Sequence, residues 1–286
     1  MTQIIAFAGR KQSGKNACCN FLTMVKLAEC GVCKRVKQDT KTGELLVSDV
    51  FGERNPDLEF MPFKKPHIDV DAVLNSTNVV KVYAIADSLK RIAIDVLGLD
   101  ENKVYGTDDN KNELTHLRWE NMPGVITQKL PIEFEEVNGR LGYYYAAGEY
   151  TAENGTHIPL VYHPEGPMTI RDVLKFVGTE VFRNMNPNIW IDTALRRIEK
   201  DRPEVALVCD ARFDNEITML KDKGGIVIGL LRDIFNSKDT HPTEQINFSL
   251  CTDVIDNTEM DMDEQNEALF SMLKSHGCKN IRSLER

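Results

Sequence analysis

The sequence lacks the features of a membrane or secreted protein. It has no run of about 18 apolar residues, so no membrane span is expected. The chain begins with a strand-like run rather than a basic region followed by a long apolar segment, so we expect no secretory signal. Basic residues are outnumbered, at 35 Lys and Arg against 44 Asp and Glu. The resulting net charge of −9 argues against a protein that coats duplex nucleic acid. Because no secretory signal or membrane span is predicted, we expect a cytoplasmic location.

The sequence also lacks a second cysteine pair at zinc-ribbon spacing. Cys30 and Cys33 form a single Cys-x-x-Cys, and an odd total of seven cysteines without a secretory signal is typical of free thiols. His67 could join this pair, but structural zinc takes four ligands. A zinc-binding interaction protein is therefore the least favoured functional alternative.

What the chain does contain is an alternation of strand and helix patterns. With 42% hydrophobic and 28% charged residues, it has the composition of a globular protein with a sizeable core. The predicted strands are 3–8, 79–86, 205–209, 225–231 and 253–255. The predicted helices are 15–29, 87–97, 169–184, 190–200, 214–223 and 263–275. This order predicts an α/β fold, with a mostly parallel sheet covered by helices on both faces.

Two segments interrupt this rhythm. Residues 33–51 predict a β-hairpin with its turn at 39–43, inside an excursion of about 30–78. Residues 100–167 predict an inserted β-rich lobe, because short alternating strands and glycine turns occupy 130–163. We therefore expect a core of 1–99 and 168–286, with 100–167 as a substrate or lid lobe.

A glycine loop follows the first predicted strand. Gly9-x-x-x-x-Gly14-Lys15 matches the first seven positions of the Walker A pattern, between a strand and a helix. Backbone N–H groups of such a loop hold phosphates together with the helix N-terminus, and the lysine charge reaches the β- and γ-phosphates. The residues predicted to bind the donor nucleotide here are Gly9, Lys11, Gln12, Ser13, Gly14, Lys15 and Asn16.

The expected magnesium position departs from the pattern. The eighth residue is Asn16 instead of Ser or Thr, although an amide oxygen can ligate a hard cation, directly or through water. The strand at 205–209 ends at Asp210 and resembles a Walker B strand, whose carboxylate meets magnesium or its water. Asp210 could also be a helix cap. Asn16 and Asp210 are the predicted metal ligands.

Polar residues follow other strand ends, where ligands gather in a parallel sheet. Asp87 and Lys90 follow the second core strand; Lys90 is predicted near an acceptor phosphate, with an exposed lysine behind an Asp cap as the alternative. Arg212 and Glu216 are predicted to contact substrate, and a helix-side ion pair is their structural alternative. Arg232 follows the strand at 225–231.

Two arginines lie on the helical pattern at 169–184. Arg171 comes near its start and Arg183 near its end. A guanidinium binds phosphate with two parallel hydrogen bonds, so both are candidate phosphate ligands, with solvated helix charges as the alternative.

With these motifs in place, the chain resembles the bacteriophage deoxynucleoside monophosphate kinases. Residues 30–78 and 100–167 carry little of the resemblance. The segments that carry it are 9–15, 86–90, 170–171 with 178–179, Trp190, 210–216, 231–232 and 239–244.

The resemblance implies phosphoryl transfer from ATP to a deoxynucleoside monophosphate, with Mg²⁺, by a homodimer in the cytoplasm of a phage host. It also assigns Glu244, in the last segment, to substrate binding. No nucleic-acid polymer or membrane is expected as a partner.

This reaction needs no catalytic base, because a phosphate monoester with a second pKa of about 6 is already anionic. Cations must offset repulsion between the two polyanions. Lys15 is the candidate for the donor phosphates, Arg171 and Arg212 for the acceptor or the transferring group, and Asp210 for magnesium. Arg232 is expected to face the adenine or a phosphate.

Two other functions remain open at the level of sequence. One is another P-loop small-molecule kinase, acting on a coenzyme precursor as dephospho-coenzyme A kinase does, or on a phosphomevalonate-like acceptor. The other is a nucleotide-binding regulatory module that shows no acceptor-dependent ADP release.

Overall fold

The computed structural model describes residues 2–31, 33, 35–48, 60–63, 77–126, 135–137, 140–142, 149–151, 157–159, 161–163, 165–232 and 246–278. The chain forms two compact units. The first consists of residues 1–87 and 188–286, and the second of residues 88–187.

The described strands and helices are numbered along the chain. The strands are β1 (Gln3–Gly9), β2 (Val36–Gln38), β3 (Leu45–Val47), β4 (Met61–Pro62), β5 (Val80–Tyr83), β6 (Leu114–Arg118), β7 (Val125–Ile126), β8 (Glu135–Val137), β9 (Arg140–Gly142), β10 (Glu149–Thr151), β11 (His157–Pro159), β12 (Val161–Tyr162), β13 (Pro167–Thr169), β14 (Val205–Ala211), β15 (Ile226–Leu230) and β16 (Asp253–Ile255). The helices are α1 (Lys15–Glu29), α2 (Asp87–Asp95), α3 (Glu101–Val104), α4 (Asp108–Lys111), α5 (Ile170–Lys175), α6 (Ile189–Asp201), α7 (Asp214–Asp222) and α8 (Met262–Ser275).

The first unit is built on a five-stranded parallel sheet in the order β16-β15-β1-β14-β5. The apolar run of β1 belongs at the centre, since Ile5, Ala6 and Phe7 are fully buried. The predicted parallel α/β sheet is therefore confirmed. Because all five strands run the same way, the loops after β1, β5, β14 and β15 leave the same edge of the sheet.

Helices supply the apolar surfaces that bury this sheet. Ile5 and Phe7 join a buried cluster with Leu22 of α1 and Leu269 of α8. Strand alternation turns Ile4 to the opposite face, and α7 packs against β1 and β15. The sheet thus holds α1, which follows the glycine loop, firmly against its core.

The predicted hairpin is also confirmed. Strands β2 and β3 pair antiparallel, and β4 adds a third strand next to β3. Asp39 closes the turn by accepting the backbone N–H groups of Lys41 and Thr42 at 2.9 and 2.7 Å. Gln38 donates a 2.8 Å hydrogen bond to the carbonyl of Ala17, which ties the hairpin to α1.

The second unit has its own buried core. Trp119 stacks on His163 with ring centroids 3.6 Å apart and meets the ring of Phe176 edge-on. The short helices α3 and α4, which begin after the capping residues Asp100 and Thr107, were not predicted from the sequence. The assignment of 100–167 as an inserted lobe stays a prediction.

The helical pattern predicted over 169–184 takes two forms. It begins as α5 and continues as a π-helix over Phe176–Arg183. At Gly178 the helix lies against Leu89, where an added Cβ would be 2.7 Å from a Leu89 methyl group. Among the helices of the described residues, none has the length and apolar character needed to cross a membrane.

Candidate functional site

The loop between β1 and α1 is curled tightly at the edge of the sheet. At Gly9 an added Cβ would contact the Ser13 hydroxyl and lie 2.9 Å from the carbonyl oxygen of Leu230. Gln12 and Gly14 take φ angles of 60° and 100°, in the left-handed region. The two glycines of the motif are therefore required by close approach and by backbone conformation.

Lys15 places a buried ammonium group within this loop. The residue is 7% exposed. Its Nζ donates hydrogen bonds to the carbonyl oxygens of Gly9, at 2.7 Å, and of Arg10. The Ser13 hydroxyl lies 3.4 Å from the same atom. Because α1 begins at Lys15, the positive N-terminal end of the helix lies beside the ammonium charge. This arrangement favours anion binding.

Two buried amide side chains, of Asn257 and Gln265, support the glycine loop. Asn257, after β16, donates a 2.8 Å hydrogen bond to the carbonyl of Ser13 and a 2.6 Å bond to Oε1 of Gln265. Gln265 of α8 donates in turn to Sγ of Cys18 at 3.3 Å. Burial raises the pKa of the Cys18 thiol to about 12, so this cysteine is a neutral packing residue at neutral pH.

The sequence did not single out these amides. Asn257 follows β16 by two residues, so the strand-end rule that pointed to Asp87, Asp210 and Arg232 would have found it on the last strand. Gln265 lies within a regular helix and carries no local signal.

The carboxylate of Asp210 fixes a neighbouring loop. It accepts the backbone N–H groups of Ile85 and Ala86, at 2.7 and 3.1 Å, and so joins the end of β14 to the segment after β5. Since β14 pairs with β1, the sheet brings Asp210 to the same edge as the glycine loop. Asn16 lies exposed in the first turn of α1.

The described residues contain no group of three or more His, Cys, Asp or Glu side chains that could hold a metal ion. All seven cysteines are free thiols, and the zinc alternative has an exposed Cys30 and a buried Cys33. His67 lies outside the described residues. The magnesium ligands predicted from sequence, one carboxylate and one amide, stay a prediction.

Arg232 binds protein carbonyls. Its Nε donates to the carbonyl of Asn257 at 2.8 Å, and a terminal nitrogen donates to the carbonyl of Met260. Its backbone N–H donates to Oδ1 of Asn257 at 3.0 Å. Arg232 therefore fastens the segment 257–260 to the end of β15, and its predicted contact with a nucleotide stays a prediction.

Glu216 serves as a helix cap. It is 2% exposed, and its Oε2 accepts the backbone N–H groups of Arg212 and Phe213 at 2.8 and 3.1 Å. These bonds satisfy N–H groups at the start of α7. The cap fixes the backbone of Arg212, and a contact of Arg212 with substrate stays a prediction.

Asp87 pairs with an arginine that the sequence did not single out. A terminal nitrogen of Arg197 on α6 lies 2.8 Å from the Asp87 carboxylate. The same guanidinium lies over the ring of Tyr83, with its carbon 5.9 Å from the centroid. A cation therefore lies beside Asp87 at the end of β5.

Within the second unit, two of the predicted cations have local partners. Arg171 donates to Asp108 at 2.8 Å and to Asn112 at 3.1 Å. The ammonium of Lys90 lies 4.6 Å from the centre of the Tyr105 ring. Both side chains are thus oriented by neighbours in their own unit.

Of the remaining two predicted substrate residues, Arg183 lies within the described residues. Arg183, at the end of the π-helix, donates a 3.3 Å hydrogen bond to the carbonyl of Pro187. Glu244 and the whole segment 239–244 lie outside the described residues.

Two comparisons with known proteins both find similarity to deoxynucleotide monophosphate kinases. A model of the deoxynucleotide monophosphate kinase family matches residues 69–269. The deoxynucleoside-5'-monophosphate kinase of Escherichia phage T5 is 33% identical over 82 residues. That match covers 26% of this chain and 33% of the phage protein, so the chain spans about a third of the length of this curated relative. The family match begins at residue 69, well after the glycine loop. The match and the geometry of the loop are therefore independent observations.

We expect Gly14→Ala to distort the loop. The new Cβ would sit at a φ of +100°, 2.8 Å from Oε1 of Gln265. Gly31→Ala, beyond the other end of α1, is the matched control, because its φ is +70° and nothing lies within 4 Å. Both variants place a Cβ on a residue with positive φ, which costs about 1–2 kcal/mol. If the loop binds ATP, as the sequence predicts, titration calorimetry should show ATP affinity about tenfold weaker for Gly14→Ala alone. Equal affinities would contradict the loop assignment.

We expect Asp210→Asn to lower the free energy of unfolding by about 1–3 kcal/mol, because its NH₂ group would face a backbone N–H that the carboxylate now accepts. Asp256→Asn is the control. Asp256 also accepts a backbone N–H, from Thr258 at 3.2 Å, but it is exposed and should change stability by less than about 0.5 kcal/mol. Urea unfolding measures both, and equal losses would show that Asp210 does not fix the loop.

Proposed function

Because the chain belongs to the deoxynucleotide monophosphate kinase family, we propose that it transfers the γ-phosphoryl group of ATP to a deoxynucleoside monophosphate. The products are ADP and the deoxynucleoside diphosphate. The observation that carries the donor half of this proposal is the buried ammonium of Lys15, held within a glycine loop between β1 and α1. The family match carries the acceptor half.

The loop suits the phosphates of ATP. Its Lys15 ammonium, the N-terminus of α1 and the loop N–H groups all attract anionic oxygens. A phosphate oxygen accepts a charge-assisted hydrogen bond that is stronger than one to a neutral carbonyl. Lys15 therefore exchanges its bonds with Gly9 and Arg10 for bonds to the donor, and Lys11, Gln12 and Ser13 line the same loop.

The acceptor phosphate needs neutralisation more than deprotonation. Its second pKa is about 6, so the attacking oxygen is already anionic at neutral pH. The cations proposed for this role are Arg171, Arg183 and Arg212, each a candidate ligand of the acceptor phosphate or of the transferring group. Asp87 and Lys90 stay candidates for substrate binding.

Magnesium fits the donor side by the chemistry of the available atoms. Asp210 offers carboxylate oxygens and Asn16 an exposed amide oxygen, and hard oxygen donors are what Mg²⁺ prefers. When bound, the ion neutralises charge on the β- and γ-phosphates. Asp210 also keeps the segment after β5 in place through its two backbone hydrogen bonds.

The proposal extends to the state of the protein in the cell. On the resemblance to phage kinases, we include a homodimer acting in the host cytoplasm on free nucleotides. Arg232 belongs to the donor side, where it keeps segment 257–260 in place.

The direct experiment measures ADP release from Mg-ATP with each of the four deoxynucleoside monophosphates. We expect at least one of them to stimulate ADP release strongly, with ribonucleotides, dephospho-coenzyme A and phosphomevalonate as comparison acceptors. A preference for one of the latter two would assign the chain to another class of small-molecule kinase. Absence of stimulation by any acceptor would favour a regulatory nucleotide-binding module.

Lys15→Ala should lower turnover at least about a hundredfold, because the positive charge that stabilises the donor phosphates is lost. Lys41→Ala is the matched control, since Lys41 is an exposed lysine in the hairpin turn and should leave turnover unchanged. Circular dichroism checks that both variants are folded. Activity retained by a folded Lys15→Ala protein would show that the donor binds elsewhere.

A further inference from the structure

The strongest unassigned feature is the buried amide of Asn257. The residue is 0% exposed, and its side chain makes three hydrogen bonds. Nδ2 donates to the carbonyl of Ser13 at 2.8 Å and to Oε1 of Gln265 at 2.6 Å, while Oδ1 accepts the backbone N–H of Arg232 at 3.0 Å. An amide has two donor hydrogens, so both are used. No other side chain of this size offers two donors and an acceptor in this arrangement.

The bond to Ser13 controls the direction of a peptide group in the glycine loop. In a trans peptide, the carbonyl of one residue and the N–H of the next point in opposite directions. Asn257 holds the Ser13 carbonyl on the buried side of the loop, so the N–H of Gly14 must point away from that side. Loops of this kind bind phosphate through such N–H groups. The Asn257 side chain thus sets the orientation of the Gly14 N–H, a group of the kind that donates hydrogen bonds to phosphate.

Gly14 itself fits against this support. An added Cβ would lie 2.8 Å from Oε1 of Gln265 and 3.3 Å from Nδ2 of Asn257. The loop therefore rests directly on the pair of amides, with no space between them.

The same residue connects the loop to a second segment. Arg232 binds the backbone carbonyl of Asn257 at 2.8 Å and the carbonyl of Met260. The glycine loop, the end of β15 and the segment 257–260 are thus joined through one side chain and its own backbone. Among the described residues, the partners of the Asn257 side chain are Ser13, Gln265 and Arg232, and none of these is predicted to bind the acceptor.

We propose that Asn257 is a positioning residue for the donor phosphates, acting through the Ser13–Gly14 peptide. This inference rests on the proposed function for its ligand, ATP, but not for the acceptor. Asn257→Asp removes both donor hydrogens and places a carboxylate beside the Ser13 carbonyl. Asn257→Ala removes all three hydrogen bonds of the side chain.

We expect both variants to raise the Kd for ATP about tenfold, because a buried carbonyl loses its partner and the loop loses its orientation. The KM for the acceptor should stay within about twofold. Titration calorimetry with ATP alone measures the first quantity, and steady-state ADP release the second. A role in stability alone would lower the melting temperature without this separation.

Asn266→Ala is the matched control. Asn266 is a buried asparagine of α8, 7% exposed, whose Nδ2 bonds to Oε1 of Gln38 in the hairpin at 2.8 Å. We expect it to lose stability but to keep its ATP affinity. If the Asn257 variants do not fold, Gln265→Met removes the acceptor that orients the Asn257 amide, together with the bond to Sγ of Cys18, and leaves Asn257 in place. A rise of about threefold in the Kd for ATP is then expected.

The outcomes separate this inference from the proposed function. Unchanged ATP affinity in folded Asn257 or Gln265 variants overturns the positioning role while leaving the kinase proposal intact. Wild-type protein that binds ATP but shows no acceptor-stimulated ADP release overturns the kinase proposal alone. Wild-type protein that does not bind ATP overturns both.

Discussion

The parallel pairing of β1 between β14 and β15 is the constraint on which the candidate site depends. It sets Ala8 opposite Ala211 and Gly9 opposite Leu230, so the chain leaves β1 with a strand packed on each side. The carbonyl of Leu230 would lie 2.9 Å from any Cβ at Gly9. The sheet therefore requires glycine at this position, and the tight turn that follows brings the N-terminus of α1 to the edge where the neighbouring strands end.

At this edge, polar side chains bind backbone groups of the loops around them. The Lys15 ammonium binds two loop carbonyls, Asp210 binds two N–H groups, and Asn257 binds a carbonyl and an N–H. Burial makes an unpartnered polar group costly, so each bond fixes the backbone as well as the side chain. These groups thus support the loops around them. In the proposed donor site, a phosphate would replace the carbonyls that Lys15 now binds at little net cost, since phosphate oxygens are the stronger acceptors.

Local signals predicted much of the fold and the position of the loop. The apolar run of β1, the glycines and the helical spacing of α1 are all adjacent in sequence, and the structure has these elements at Gln3–Gly9 and Lys15–Glu29. The support of the loop was not predictable in this way, since Asn257 reaches Ser13 across 244 residues. The π-helix at Phe176–Arg183 was missed for a related reason: its extra residue per turn accompanies the close packing of Gly178 on Leu89, which helical periodicity does not encode.

The strand-end rule locates polar residues correctly but does not say what they bind. Arg232 follows β15 as the rule expects, yet its guanidinium binds the carbonyls of Asn257 and Met260. Asp210 ends β14 and holds the loop after β5. Lys15 differs from both, because its acceptors Gly9 and Arg10 belong to the loop that would itself surround the phosphates. A ligand entering that loop meets the Lys15 charge without disturbing a bond between distant segments. For this reason the donor assignment rests on Lys15, while Arg232 and Asp210 determine whether the surrounding loops keep their shape.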